Sequence, residues 1–455
     1  MINIKIDSRK IVSGDIFVCI VGHNVDGHDY VDKAIENGAT KIIAQKQIET
    51  SVELEVVENT EKWLEDYLVK TYAEKINTMD LIGVTGTNGK TTTCYLTFQM
   101  LNFLGTRTAY IGTIGFHTLE TTQELENTTP NILELYSMLL SAKEDGYKCV
   151  VMEVSSHALD LGRVAGLNYK VGAFTNLTQD HLDHHNTMEK YLTAKLKLID
   201  HLTADGVMLV NVDVDQHEKF LECNSKTIGK NADNYKIINY DMQINGTTID
   251  FSVDGKEYEI KTNLTTIFNV YNYLTAIAIC NSLGSSIEEI IAIASLVQPP
   301  LGRAQIVSVR SGIAVVDYAH TPDAVEKIIT SFNEIKHDRI ITIIGCGGDR
   351  DPKKRPIMGN IASSLSDFVV FTNDNPRTED EKFIMDGILA GVEKDNYIVE
   401  HDRRKAIVKA LDMIENDDIV LILGKGHEDY QIIGREKIHL SDVEEIENYI
   451  GKKAE

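Results

Sequence analysis

Three α/β domains in series are predicted for this chain: a small N-terminal α/β unit, a central parallel sheet with a β-meander, and a C-terminal doubly wound domain. Three observations carry that expectation. At 455 residues the chain exceeds what one core ordinarily organises. Short, continuous apolar runs alternate with helical stretches through most of its length, as in buried parallel sheets. The pattern restarts near residue 80 and again after Pro299-Pro300, which divides the chain into 1–78, 79–300 and 301–455.

In the first segment, apolar runs at 16–21 and 41–44 flank a helical stretch at 29–37 that ends at Gly38. The second begins with the apolar strand 81–84, a glycine loop, and a helical run over 91–104 closed by Gly105. Strands are expected at 149–154, 171–177 and 206–211. Residues 236–264 alternate instead, with turn signals at Asn245-Gly246 and Asp254-Gly255. Helices follow at 269–283 and 287–296. Beyond the proline pair, strands at 313–317, 340–344, 367–371 and 418–423 alternate with helical stretches such as 322–334 and 402–415.

Composition narrows the functional classes. A net charge of −24 disfavours nucleic acid and anionic membrane as partners, while leaving room for an anionic small molecule in a locally positive site. No apolar run reaches membrane-spanning length, the N-terminus lacks a signal segment, and a cytoplasmic protein acting as a monomer is expected. The six cysteines are scattered without a Cys-x-x-Cys pair, which reads as reduced, mostly buried thiols.

The stretch GVTGTNGKTTT (83–93), between a strand and a helix, is where a phosphate-binding loop belongs. Glycines let backbone N–H groups close around phosphates, the helix N-terminus adds a positive dipole, and Lys90 adds a mobile charge. Thr91 would offer a hydroxyl to Mg²⁺. A glycine turn without a ligand is the plain alternative, and the Gly-Lys-Thr-Thr run after a strand weighs against it. Glu153, closing an apolar strand, is either a solvated strand end or a carboxylate placed to hold Mg²⁺ beside phosphates. The run DHLDHH (180–185) lacks cysteine and regular ligand spacing, so zinc is rejected. In TNDNPRTED (372–380), Arg377 is either neutralised by Asp374, Glu379 and Asp380, or it awaits an outside anion.

The compact TGTNGKTTT loop resembles that of the Mur ligase family. Further matches follow in the family's order: Asp-Ser-Arg and Asp-Gly-His near the N-terminus, MEVSSHALDLGRV (152–164), TNLTQDHLDHH (175–185), FNVYN (268–272), GRAQ (302–305), VDYAHTPDA (316–324), GCGGDRDPKKRP (345–356), DNPR (374–377) and GKGHEDYQ (424–431). The resemblance covers nearly the whole chain and is to the MurE branch. It implies an ATP-dependent amide ligase that adds an amino acid to UDP-N-acetylmuramoyl-L-alanyl-D-glutamate in peptidoglycan synthesis. Amide formation from a free carboxylate is uphill in water; transfer of the ATP γ-phosphoryl group gives an acyl phosphate that the amine attacks.

The resemblance also implies site residues. ATP would meet Gly86, Thr87, Asn88, Gly89, Lys90, Thr91 and Thr92, then Asn269, Asn272, Arg303, Asp317 and His320. Mg²⁺ would be held by Thr91, Glu153, His181 and Lys195, the last as a CO₂-derived carbamate that turns a cation into an anion. The UDP-linked substrate would meet Ser8, Asn127, Thr128, Thr129, Ser156 and Arg163. The amino acid would meet Arg350, Asp374, Asn375, Pro376, Arg377, Gly424 and Glu428, with Glu428 suited to an ammonium group. Without the resemblance, Lys195 would read as a solvated helix face, Asn269 as a helix cap and the loop hydroxyls as turn residues. Because DNPR carries an arginine, meso-diaminopimelate is expected rather than L-lysine: only the former has a distal carboxylate for the guanidinium fork.

Two positions depart from the family pattern: NLTTIF (263–268) stands where a glycine and a basic residue commonly precede Phe-Asn, and Gln305 replaces a frequent glutamate. The rival readings are a related ligase with another amino acid or carrier, a folylpolyglutamate synthase, and a non-catalytic nucleotide-binding subunit. The first-domain signatures and DNPR weigh against the second, and the retained Lys90, Glu153, His181 and Lys195 against the third.

Overall fold

The computed structural model describes residues 2–22, 25–336 and 338–454. Its strands form three main sheets. The first is four-stranded and parallel, running Ile4–Lys5, Ile16–Val18, Lys41–Ala44 and Glu53–Val56 side by side. Val18 and Ile43 face a core shared with Leu81, Tyr136 and Tyr169 of the next unit. The alternating Phe17 and Ile42 face a small core of their own with Val31 and Ala34. Both faces are thus covered, which is why these strands read as apolar runs. The 29–37 stretch is a 3₁₀ turn, Gly27–Tyr30, leading into the α-helix Val31–Glu36.

The second sheet has eleven strands. At its centre Asp80–Thr85 lies parallel between Tyr169–Phe174 and Cys149–Glu153. Thr108–Gly112 follows outward, then the antiparallel Gly115–His117 and Thr122–Gln123. On the other side come Leu202–Asn211, Ser225–Gly229 and the meander Tyr235–Gln243, Gly246–Val253 and Lys256–Thr262. Asp254 and Gly255 both have positive φ, as a tight hairpin turn requires; the other turn sits one residue earlier than expected, on Ile244 and Asn245. Leu81, Val150 and Met152 pack on one face of this sheet, and Ile82, Val84 and Val151 on the other.

The C-terminal sheet runs Gln305–Val309, Gly312–Asp317, Ile419–Leu423, Ile340–Ile344, Phe368–Phe371, Tyr397–Val399. It is parallel apart from its first pair. Apolar runs on both faces give two separate clusters, with Val315 and Phe371 in one and Val316 and Val370 in the other. All six cysteines are free and five are buried, as their scatter suggested. Among the described residues no helix is long and apolar enough to cross a membrane.

Candidate active site

The glycine loop joins the strand Asp80–Thr85 to the helix Lys90–Phe103. Gly89 caps that helix with φ +86, and a Cβ there would strike Asn272 Oδ1, so glycine is required twice over. The loop is braced from the neighbouring strand end: Thr87 N donates to Asn176 O (2.9 Å), Asn88 N to Asn176 Oδ1 (2.9 Å), and Thr175 Oγ1 to Asn88 O (2.6 Å). Lys90 Nζ folds back onto the carbonyls of Gly86 (2.9 Å) and Thr87 (2.8 Å), and its withdrawal from water lowers its pKa.

Glu153 lies directly beneath, fully buried. Its carboxylate accepts from Thr91 Oγ1 (3.0 Å), Tyr110 OH (2.6 Å), Thr113 N (2.8 Å) and Thr113 Oγ1 (3.1 Å). The solvated-strand-end reading is thereby excluded. Lys195 is not on a solvated face either: it is 1% exposed, its Nζ donates to Gly86 O (2.8 Å) and sits 4.3 Å from the Tyr191 ring centre. Burial, reinforced by Lys90, holds its pKa well below that of an ordinary lysine. His181, in left-handed conformation with φ +54, has Nε2 3.4 Å from Asp180. Desolvation in the cleft lowers its pKa. The other DHLDHH histidines have local partners: His184 Nε2 is 3.2 Å from Asp160, and His185 Nε2 is 2.9 Å from Ser156 Oγ.

The C-terminal sheet closes over this loop. Arg303 Nη2 donates to Thr91 Oγ1 (3.1 Å), its guanidinium lies 4.5 Å from the Tyr318 ring centre, and Asn88 Nδ2 donates to Asp323 Oδ2 (3.0 Å). Asp317 accepts from Ala304 N (2.7 Å) and Ala319 N (2.8 Å), and burial raises its pKa. His320 Nδ1 donates to Tyr318 O (2.7 Å), which leaves Nε2 as an acceptor; desolvation and then Lys354 lower its pKa. Asn269 does not cap its helix, which runs Ile267–Ser282; its Nδ2 instead donates to Thr265 O (2.9 Å) within the chain. Thr266 is the residue before that helix, with φ +92 and a buried Oγ1 lacking a partner, at the place where the family pattern has glycine. Gln305 has a local use, its Oε1 accepting from Gly302 N (2.9 Å).

Two cavities meet at the glycine loop. A cavity of about 260 Å³ takes in Asn88, Gly89, Thr92, Asn272, Tyr271 and Asp317. A cleft of about 470 Å³ takes in Lys90, the 127–129 turn, Arg163, His181 and the DNPR loop. Tyr318 and His320 line both. The cleft lies against the C-terminal ends of the last sheet's strands, the usual ligand edge of an open parallel sheet. Asn127, Thr128, Thr129 and Arg163 meet there, with Arg163 Nη1 donating to Thr129 O (2.8 Å). Ser8 and Ser156 do not line it: Ser8 is buried in the first unit, and Ser156 serves His185. The Asp26-Gly-His28 signature is internal too, with His28 Nδ1 2.5 Å from Asp26 Oδ1 and Nε2 accepting from Gln45 N (2.9 Å).

At the far end Arg350, Asp374, Asn375, Arg377, Gly424 and Glu428 share the cleft wall; Pro376 is not among the residues lining it. A Cβ on Gly424, which has φ +113, would stand 2.6 Å from Asp374 Oδ2. Asn375 Nδ2 donates to Glu428 Oε2 (2.9 Å). Lys425, which sequence reasoning passed over inside GKGHEDYQ, is fully buried and donates to Glu428 Oε2 (3.2 Å) and Asn375 Oδ1 (3.3 Å). Its only signal was its position at a strand end. Arg377 is half-buried and donates from Nη1 to Gly348 O (2.8 Å) and, more weakly, Asn375 O (3.5 Å). Among the described residues no carboxylate pairs with it. Its acidic neighbours in sequence are engaged elsewhere: Asp374 with Asn375 N, Glu379 with Arg355, and Asp380 as cap of the helix Glu381–Leu389.

The sequence matches the Mur ligase family catalytic domain over residues 2–82, the Mur ligase middle domain over 84–280 and the Mur ligase glutamate ligase domain over 302–426. The chain belongs to the Mur ligase family. Among curated Mur ligases it is 42% identical to the UDP-N-acetylmuramoyl-L-alanyl-D-glutamate--2,6-diaminopimelate ligase of Fusobacterium nucleatum, covering 97% of this chain and 92% of that one. It is 39% identical to ligase 1 of the same name from Clostridium acetobutylicum, covering 98% and 94%. A solved structure of a ligase of that name superposes with TM-score 0.68 at 29% identity, over 100% of this chain and 96% of the other. The Mur ligase MurF of Thermotoga maritima, solved with ADP, gives TM-score 0.74 over 99% and 98%; at 18% identity it shows the shared fold alone.

Proposed function

We propose that this chain is an ATP-dependent ligase of the cytoplasm, acting as a monomer, that joins meso-diaminopimelate to UDP-N-acetylmuramoyl-L-alanyl-D-glutamate during peptidoglycan synthesis. One observation carries the reading: an arginine that no carboxylate among the described residues pairs with shares a cleft with Glu428 and Asn375, and the phosphate loop opens into the same cleft. In this reading the three domains are 1–78, 79–300 and 301–455, a division supported by the three main sheets.

ATP lies in the smaller cavity, its base and ribose toward Asn272, Tyr271 and Asp317, and its phosphates over Gly86–Thr92. Lys90 leaves its two carbonyl partners to neutralise the transferring phosphoryl group. Arg303 reaches the same phosphates from the C-terminal domain, and His320 lines the ATP cavity beside them, so that domain closure completes the site. Thr91, Glu153, His181 and Lys195 fit Mg²⁺: the Thr91 hydroxyl and Glu153 carboxylate are already in contact, an oxygen-donor pair suited to a hard cation. When bound, the ion neutralises phosphate charge. A lysine with a strongly lowered pKa presents the neutral amine that reacts with CO₂, which supports carbamylation of Lys195.

The glutamyl carboxylate of the UDP-linked substrate is placed by Asn127, Thr128, Thr129 and Arg163, with Ser8 and Ser156 assigned to the same substrate by resemblance. Its uridine end lies toward the first domain. Arg350 and Arg377 hold the amino acid's carboxylates, while Glu428, positioned by Asn375 and Lys425, takes an ammonium. Asp374, Pro376 and Gly424 shape the pocket around them. The test is phosphate release from ATP with each substrate withheld in turn. Release that needs both the UDP-linked dipeptide and diaminopimelate is expected; ATP hydrolysis indifferent to them would contradict the proposal.

A further inference from the structure

Resting on the proposed diaminopimelate site, the geometry points to Arg355 as a positioning residue for substrate selection: it captures Glu379 and so keeps the Arg377 guanidinium available to a substrate carboxylate. Arg377 and Glu379 stand two residues apart on either side of one turn. Arg377 Nη1 donates to Gly348 O (2.8 Å), and a Cβ built on Gly348 would lie 3.0 Å from Glu379 Cβ. A glutamate so placed is the natural partner of that arginine, and a pair between them would fill the anion site from within.

The structure prevents this in a specific way. Arg355, on the helix Lys354–Leu365, is 1% exposed. It grips Glu379 with both terminal nitrogens, Nη1 to Oε1 (2.7 Å) and Nη2 to Oε2 (2.6 Å). Asp349 N adds a third bond to Glu379 Oε2 (2.9 Å). The Arg355 guanidinium holds the Glu379 carboxyl below the usual carboxylate range, so it stays an anion bound to Arg355. Asp349, an acid on the loop facing this turn, is held by Thr378, which donates from N (3.1 Å) and Oγ1 (2.9 Å) to Oδ2. A bidentate arginine–carboxylate pair is directional as well as strong, so Arg355 sets where the Glu379 charge points.

Arg355 contacts no substrate in this account, so a general loss of fold must be separated from a loss of selection. The experiment measures steady-state KM for diaminopimelate, for L-lysine and for ATP in the full chain, with melting curves as the check on folding. Arg355→Met should raise the KM for diaminopimelate about tenfold, the scale of one lost charge-assisted contact, and leave the KM for ATP unchanged. Its preference for diaminopimelate over lysine should shrink correspondingly. Adding Glu379→Gln should restore that preference, because a neutral amide no longer competes for Arg377. Arg355→Lys, which keeps a buried cation but loses the fork, should fall between and serves if the methionine variant does not fold. A wild-type preference for diaminopimelate that persists in Arg355→Met or Arg355→Lys overturns this inference alone. Failure of Glu379→Gln to restore selection also overturns it, and a wild-type preference for lysine overturns it together with the proposed substrate.

Discussion

Replacing Arg377 with alanine isolates the amino-acid site from the rest of the machinery. In the unliganded protein the side chain gives up one good bond, to Gly348 O, and one weak one, to Asn375 O. Arg377 is only half-buried, so water can replace both and the fold should lose little. On the substrate the loss is larger. Among the described residues Nε and Nη2 have no partner, so that edge of the fork is open to a carboxylate. Hydrogen bonds to charged groups contribute about 1.5–3 kcal/mol each, and partial solvent screening argues for a total of about 3 kcal/mol. That corresponds to roughly a hundredfold in apparent affinity. The assay is initial-rate phosphate release titrated separately with diaminopimelate and ATP. The expected result is a KM for diaminopimelate raised roughly a hundredfold, with the KM for ATP within about threefold of wild type. Equal increases for both substrates, or no change for diaminopimelate, would refute the reasoning.

Lys195→Ala should abolish most activity, and short carboxylates added to the assay should restore part of it; near-normal activity in the variant would sink the carbamate. Thr266→Gly should stabilise the protein by about 1 kcal/mol, because relief of a strained positive φ on a β-branched residue exceeds the backbone entropy glycine brings. Urea midpoints measure this, and an unchanged or lower midpoint counts against the strain. The folded-state pKa of Glu379 is depressed, first by its bonds to Arg355. Its contribution to stability is therefore full above the ordinary value of 4.5 and disappears as pH falls through the depressed value. Glu379→Gln should flatten the acid limb of a stability–pH profile; an unaltered limb would show that the pair contributes nothing there.

The strands of the parallel layers were readable because they are buried on both faces and carry unbroken apolar runs, as at Cys149–Glu153 and Ile340–Ile344. Edge strands such as Gly115–His117 and Thr122–Gln123 were not anticipated: they are short, and local pairing rather than an apolar run defines them. The glycine loop stood out because phosphate binding demands a rare combination of residues in sequence. Lys425 and Arg355 did not, because their importance lies in tertiary partners, Glu428 and Glu379, that spacing cannot pair in advance. Lys195 shows the converse: its helix looked amphipathic with the lysine outward, and only the packing of Tyr191 and Gly86 reveals it as buried.

The most direct test of the central claim is a side-by-side measurement of kcat/KM for meso-diaminopimelate and L-lysine with the wild-type chain, the UDP-linked dipeptide and ATP. An open Arg377 beside Glu428 predicts preference for diaminopimelate by two orders of magnitude or more, roughly the discrimination expected when a substrate leaves a charged binding group unpaired. Equal use of the two, or a preference for lysine, would contradict it.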